Sequence, residues 1–374
     1  MPSAPIPPGP APATFPRLDH LRRLTDGTGL LQHARHAVAD RRHGYCVDDN
    51  ARALWLTARL APTGAGTSRE VADLAATYAS FVDHAWDRDG LGGRGRFENF
   101  MAYDRRWLPD GGTVEDEDAQ ARGVLSLAHV ARSGLGDGIA DWAGSCLAEA
   151  LRPPALPLAM GSPRAWATAL VACRVTLDAA RDPGAARRSL AAEAAGHAGK
   201  IAPTLAQRLL ERHRAAARPG WPWFEDALAY DNARLCEGAL AGAAHEPALL
   251  GIGLASLDWL CGVQSAPAGH FRPYGNEGFG HPDRTGAAYD QQPIEAWATI
   301  DAARLAHDLT ADGRWHAQAS RALAWFTGAN DAGATLIDAS GGCADGIQPN
   351  GVNANRGAES TLAWLHASLH DAGS

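Results

Sequence analysis

Six times along this chain a polar or acidic cluster runs without a break into an alanine-rich helical segment, and that recurrence limits the folds open to it. "DDNARAL", Asp48 to Leu54, is echoed by "YDNARLC", Tyr230 to Cys236, and more loosely by "YDQQPIEAW" from Tyr289. The same grammar begins near Asp49, Asp118, Ser162, Asp231, Asp290 and Gly357. Such self-similarity marks repeated units that bury their apolar faces against one another rather than alone. In "IEAWATIDAARLAHDL", Ile294, Ala298, Ala302, Leu305 and Leu309 share one face and alanines fill the flanks, as a helix wedged between two neighbours requires.

Helices of a second kind lie between these. "TSREVADLAATYASFVDHAW" opens on a Thr67 to Glu70 capping box and carries Val71, Leu74, Tyr78, Phe81, Val82 and Ala85 as one stripe opposite a charged face. The same period predicts surface helices over 137–150, 186–216 (as one piece or two), 245–264 and 314–328, and a short one in "LDHLRRLTD". Six inner and six outer helices in alternation predict an all-α fold, an (α/α)6 toroid or six-hairpin barrel. It would form a single domain over residues 17–374, behind a Pro-rich flexible tail at 1–16. The outer-to-inner connections, 87–115, 151–161, 217–229, 265–288 and 329–355, are long enough to suggest function. Alternating helix direction gathers them, with the acidic starts, at one end.

Composition narrows the partners. The net charge is −8, Lys200 is the lone lysine among 34 basic residues, and no Lys/Arg run offers the clustered positive surface that nucleic acid needs. No segment is long and apolar enough for a membrane span, and the N-terminus lacks the basic and apolar regions of a secretory signal, so a cytoplasmic location is expected. The six cysteines show no CxxC spacing and read as reduced, packed thiols. P-loop, HExxH, GxSxG and dinucleotide fingerprints are missing, so no cofactor is expected. The spacing of His33, His36 and His43 matches no metal-ligand pattern, so no metal is expected either.

The acidic starts carry the candidate chemistry. A helix N-terminus favours carboxylates, so of the adjacent Asp48 and Asp49 one is expected to cap the helix and the other to face the cavity, with Arg52 one turn on. "EDEDAQAR" repeats the theme with Glu117, Asp118 and Arg122, and "WFEDALAYDNARL" adds Trp223, Glu225, Asp231, Asn232 and Arg234. Trp beside carboxylates suits a sugar subsite, where rings stack on C–H faces and carboxylates hold hydroxyls. Two more loops supply Arg272, Tyr274, Asn276 and Glu277, then Asp345, Asn353, Asn355 and Glu359. Gln291, Gln292 and Glu295 are expected at the same end.

The blocks "GYCVDDNARAL", "WFEDALAYDNARL", "YDQQPIEAW" and "NRGAESTLAWL" resemble the signature of a bacterial family of (α/α)6-toroid domains related to carbohydrate-active enzymes. Members of that family are often fused to, or named as, glycosyltransferases. The resemblance covers nearly all of the chain after the Pro-rich tail. It implies sugar chemistry and a functional link to a glycosyltransferase, although this chain carries no nucleotide-sugar-binding Rossmann pattern.

The leading expectation is a glycoside hydrolase acting on a short oligosaccharide. In a ring of six helices, opposed carboxylates stand roughly 10 Å apart, close to the inverting separation of about 6.5 to 9.5 Å. The opposed pairs are Asp49 with Asp231 and Asp118 with Asp290. Asp118 is expected to be the acid, its pKa raised by Asp116 and Glu117, and Asp231 the ionised base or hydroxyl anchor. Three alternatives stay open: a noncatalytic sugar-binding domain, an epimerase using histidines such as His43, His270 and His281, and a phosphorylase using Arg272 and Arg284.

Overall fold

A computed structural model describes residues 16–61, 68–87, 95–109, 114–153, 155–181, 189–276, 278 and 280–369. The Pro-rich tail, but for Pro16, lies outside these, as do Thr67 and Glu277. In chain order the helices are α1 (Asp19–Leu24), α2 (Val47–Leu60), α3 (Arg69–Ala85), α4 (Val114–Ala131), α5 (Asp137–Leu151), the single turn α6 (Leu156–Ala159), α7 (Pro163–Arg181), α8 (Ser189–Ala216), α9 (Ala233–Gly242), α10 (Ala248–Val263), α11 (Pro293–Thr310), α12 (Gly313–Phe326) and α13 (Ala358–Ser368).

Helices α2, α4, α7, α9, α11 and α13 touch in that order, and α13 returns to α2, so the inner ring closes. Each outer helix that follows, α3, α5, α8, α10 and α12, packs on the inner helix just before it, and α1 lies against α13. This is the (α/α)6 toroid. Of the stretch 186–216, residues 189–216 form one helix, α8, with Pro203 inside it.

Small residues set how tightly the ring closes. A Cβ on Gly238 of α9 would stand 2.3 Å from the Ala167 Cβ of α7, so the two inner helices meet backbone to backbone. Gly238→Ala therefore overpacks this contact and is expected to cost about 1 to 3 kcal/mol, read as a lower denaturation midpoint at unchanged m-value. A midpoint equal to that of the native chain would mean that α7 and α9 can part freely.

Local signals start several helices. Ser68 Oγ accepts from Val71 N to cap α3, one residue beyond the predicted Thr67. Cys46 Sγ accepts from Asp49 N at 3.4 Å and so caps α2, a thiol in a place usually held by an oxygen. All six cysteines are free and buried. Among the described residues, no helix is long and apolar enough to cross a membrane.

The connections at the N-terminal ends of the inner helices lock together. The short strands β1 (Ala34–Arg35) and β2 (Val38–Ala39) pair locally, whereas β3 (Tyr45–Cys46) pairs with β4 (Phe100–Met101) from the next long connection. A hairpin of β5 (Ile347–Gln348) and β6 (Gly351–Val352) lies further on, and single bridges join Leu228 to Gly280 and Gln291 to Ile347. His36 N donates to Asn355 Oδ1 at 2.9 Å, which brings the last connection back to the first.

Candidate active site at the N-terminal mouth of the inner ring

A chain of ion pairs crosses the bore from helix to helix. Glu359 of α13 binds Arg52 of α2 at 3.0 Å, and Arg52 binds Asp48 at 3.1 Å and Asp49 at 3.2 Å. Asp48 Oδ1 meets Arg122 Nε of α4 at 2.7 Å, and Arg122 Nη2 reaches Asp231 Oδ2 at 3.0 Å. Asp231 then lies 3.7 Å from Arg234 Nε of α9, whose guanidinium also engages Glu237 and, at 3.5 Å, Asp301 of α11. Depth follows exposure: the Glu359 and Asp48 side chains are 40% and 26% exposed, and those of Arg52, Arg122 and Asp231 no more than 6%.

The sequence spacing explains part of this. Asp48 and Arg52, and Asp118 and Arg122, stand one helical turn apart and share a face, and Asp231 precedes Arg234 by three. Each arginine can answer its own carboxylate or the neighbouring helix's. Arg122 takes the second course and becomes the cross-link.

Asp118 lies beside that cross-link and is 5% exposed. Among the described residues, neither of its carboxyl oxygens has a hydrogen-bond partner. Burial pushes its pKa up to about 7, against the pull of the Arg122 and Arg164 guanidiniums and with a further push from Asp231 and Asp48. The expected cause, crowding by Asp116 and Glu117, is not the one found. Glu117 turns away to accept from Gly161 N at 2.9 Å and Ser162 N at 2.5 Å at the start of α7, and Asp116 accepts from Asn99 Nδ2 at 3.2 Å.

Asp231 has the opposite electrostatics. Burial alone would raise its pKa, but the Arg234, Arg122 and Arg52 guanidiniums hold it below the ordinary carboxylate value. Its Oδ2 takes the arginines, while Oδ1 is enclosed without a hydrogen-bond partner among the described residues. Asp231 also has φ 46, a left-handed conformation that Asp tolerates better than most residues. The turn is held by Asn232, which accepts from Ala229 N at 3.0 Å and donates to Glu295 Oε2 at 3.1 Å. Gln264 adds a bond of 3.3 Å to Glu295, whose pKa burial pushes up to about 7 in spite of them.

Several expected placements are corrected. Asp49, placed in an opposed pair with Asp231, turns back onto its own helix, taking Cys46 Sγ at 3.3 Å as well as Arg52, and burial lifts its pKa to about 7. Asp290 precedes α11 by three residues, and Asp118 sits in the second turn of α4. Asp290 accepts from Gln292 Nε2 at 3.3 Å and packs on Gly346. Trp223 is a core residue with no exposed surface, its ring 5.6 Å from those of Trp259 and Phe224, and it has no face for a sugar. Arg234, 1% exposed, is likewise enclosed.

The remaining expected residues form the rim. Glu225 is held by Arg164 at 2.7 Å, and Arg164 Nε donates to Tyr230 O at 2.6 Å. Asp331, which the sequence reading missed, collects His270 at 2.7 Å, Arg272 at 2.6 Å and Gln291 at 2.7 Å. Gln291 is fully buried and accepts from Trp325 Nε1 at 3.1 Å, so it braces the rim from beneath. Half-buried Tyr274 lies over Gly280 and Gly286, and exposed Asn276 donates its backbone N–H to Asp290 O. Also missed were Arg164 and the cross-linking role of Arg122. The Asp-Arg spacing at the helix starts was the available signal for Arg122, and nothing local pointed to Asp331. Among the described residues, no group of three or more His, Cys, Asp or Glu could hold a metal.

No family model matches the chain, and no curated protein sequence does. Its architecture is shared with solved structures. A sugar epimerase from a ruminal bacterium superposes with TM-score 0.66 at 11% identity over 97% of each chain. A cellobiose 2-epimerase from Bacillus thermoamylovorans gives 0.63 at 10% identity, covering 95% of this chain and 96% of the other. A GH76 α-mannanase of Bacteroides thetaiotaomicron gives 0.53 at 11% identity, covering 87% and 86%.

Proposed function

We propose that the protein is a carbohydrate-processing enzyme whose N-terminal mouth performs proton transfer, and that its reaction is the hydrolysis of a short oligosaccharide. The observation that carries the reading is the unequal carboxyl pair. Asp118 is neutral up to about pH 7 and, among the described residues, has both oxygens unpartnered, while Asp231 is held ionised by three arginines with Oδ1 free of partners. Environments that drive two carboxyl pKa values apart separate a proton donor from a base. Asp118 protonates the glycosidic oxygen, and Asp231 Oδ1 takes the proton of the attacking water in an inverting displacement. Asp48 and Glu359, above them and partly exposed, accept sugar hydroxyls, with Arg52 and Arg122 fixing their orientation.

A second reading, epimerisation or isomerisation of a reducing sugar, has its own support. The rings of His33 and His43 meet edge to face at 4.6 Å, and burial, then His43, lowers the His33 pKa so that it stays a neutral base. Two of the fold neighbours are sugar epimerases. One experiment separates the readings: incubation with reducing oligosaccharides in D2O, followed by NMR. Hydrolysis yields new reducing ends, the first-formed anomer reporting inversion, without carbon-bound deuterium. Epimerisation puts deuterium at C2 with the chain length unchanged. No change in any panel sugar would favour a noncatalytic domain beside a glycosyltransferase, and a need for phosphate would favour phosphorolysis.

A further inference from the structure

The bore has a second mouth. Where the C-terminal halves of α2, α4, α7 and α11 come together, on the far side of the Arg234 pairings, lies a cavity of ≈ 590 Å³, within the range of small-molecule sites. None of the candidate catalytic residues lines it.

Four arginines do: Arg59, Arg132, Arg174 and Arg304. Three carboxylates share the lining, but Glu237 and Asp301 are already engaged by Arg234, and Asp308 is exposed. Arg174 pairs with Asp178 at 3.5 Å. Arg59 donates to the His366 carbonyl at 2.9 Å. Arg132 and Arg304 have no salt bridge among the described residues. The negative ends of the helix dipoles account for Arg59 and Arg132, which stand at the ends of α2 and α4. They do not account for Arg174 or Arg304, which lie more than a turn inside α7 and α11. A cluster of guanidiniums in a concave site repels itself and favours an anion.

The floor is built as well. Trp55, 8% exposed, is clamped between His129, stacked at 4.4 Å, and His366 at 4.5 Å, and its Nε1 has no hydrogen-bond partner among the described residues. Burial, then the Arg132 and Arg59 guanidiniums, push the His129 pKa down to about 3, so that ring is uncharged. Val171, Val175 and Leu305 make one apolar wall.

The geometry points to a binding site for a small organic anion at this C-terminal mouth, its phosphate or carboxylate head among Arg304, Arg132 and Arg174 and a polar oxygen on Trp55 Nε1. The apolar wall holds the body of the ligand. This site is separate from the N-terminal mouth and does not depend on the reaction assigned there.

Titration calorimetry on the full chain tests it with glucose 6-phosphate, gluconate and inorganic phosphate, and with glucose as the uncharged control. Saturable binding of a charged sugar, absent with glucose, is expected. Arg304→Gln and Arg132→Gln should each weaken it about tenfold, the loss of one charge-assisted bond. Asp48→Asn, at the other mouth, should leave it within about twofold of the native chain. Arg132 is exposed, so its variant remains informative if Arg304→Gln fails to fold. Whichever of glucose 6-phosphate and gluconate binds more tightly names the head group. No saturable binding of any anion up to about 10 mM would overturn the proposal. So would binding lost in Asp48→Asn but retained in both arginine variants.

Discussion

Arg122→Met is expected to destabilise the protein by about 3 to 5 kcal/mol, because it breaks a buried ion-pair chain in the middle instead of replacing it whole. Arg122 is the link between Asp48 and Asp231, and its loss leaves Asp231, 1% exposed, with Arg234 at 3.7 Å as its nearest cation. The sign of the pH dependence follows from Asp231. Its folded pKa lies below the unfolded value, so its contribution is fully present above the unfolded pKa and is lost as pH falls through the folded one. The difference between the native chain and Arg122→Met should thus be large at neutral pH and shrink in acid. Urea titrations at pH 7 and at about pH 2, below the ordinary aspartate value of 3.8, measure it. A loss below about 1 kcal/mol at pH 7 would place the cross-link with ordinary exposed salt bridges and remove its role in fixing the site.

Asp118→Asn is expected to reduce turnover by about 10² to 10⁴, since the amide keeps the shape and cannot give up a proton. The same substitution should stabilise the fold at alkaline pH. The Asp118 pKa is raised from 3.8 to about 7, so the folded state resists ionisation that the unfolded chain undergoes freely. Stability is greatest below the unfolded pKa and is lost as pH rises through the folded one, by an amount on the order of a few kcal/mol. Asparagine has no such loss, so the gain in thermal midpoint should be clear at pH 8 and nearly absent at pH 4. A variant that is more stable at pH 8 yet fully active would keep Asp118 as a buried carboxyl and move the proton donor to Asp49 or Glu295, both also near 7.

Local sequence carried the helices and their order. The stripe in 69–85 and the alanine flanks of 293–310 are properties of the helical period, so each segment declares its buried face without reference to the rest. The Asp-Arg pairs at the helix starts were equally local, because residues one turn apart face the same way. From alternation of the two helix kinds, a closed double ring followed.

Other features were set by residues far away in the chain. Asp48 and Asp49 point about 100° apart on one helix, and packing of α2 against α4 and α13 decided that Asp48 would face Arg122. Trp223 reads like a sugar platform beside Glu225, yet Trp259 of α10 covers it. Asp118 owes its proton affinity chiefly to burial, not to the acidic neighbours visible in the sequence. Helical periodicity is a free energy of neighbouring residues and is written in their order. Side-chain exposure and proton affinity depend on the solvent excluded and the charges brought near by distant helices, so the tertiary structure decided them.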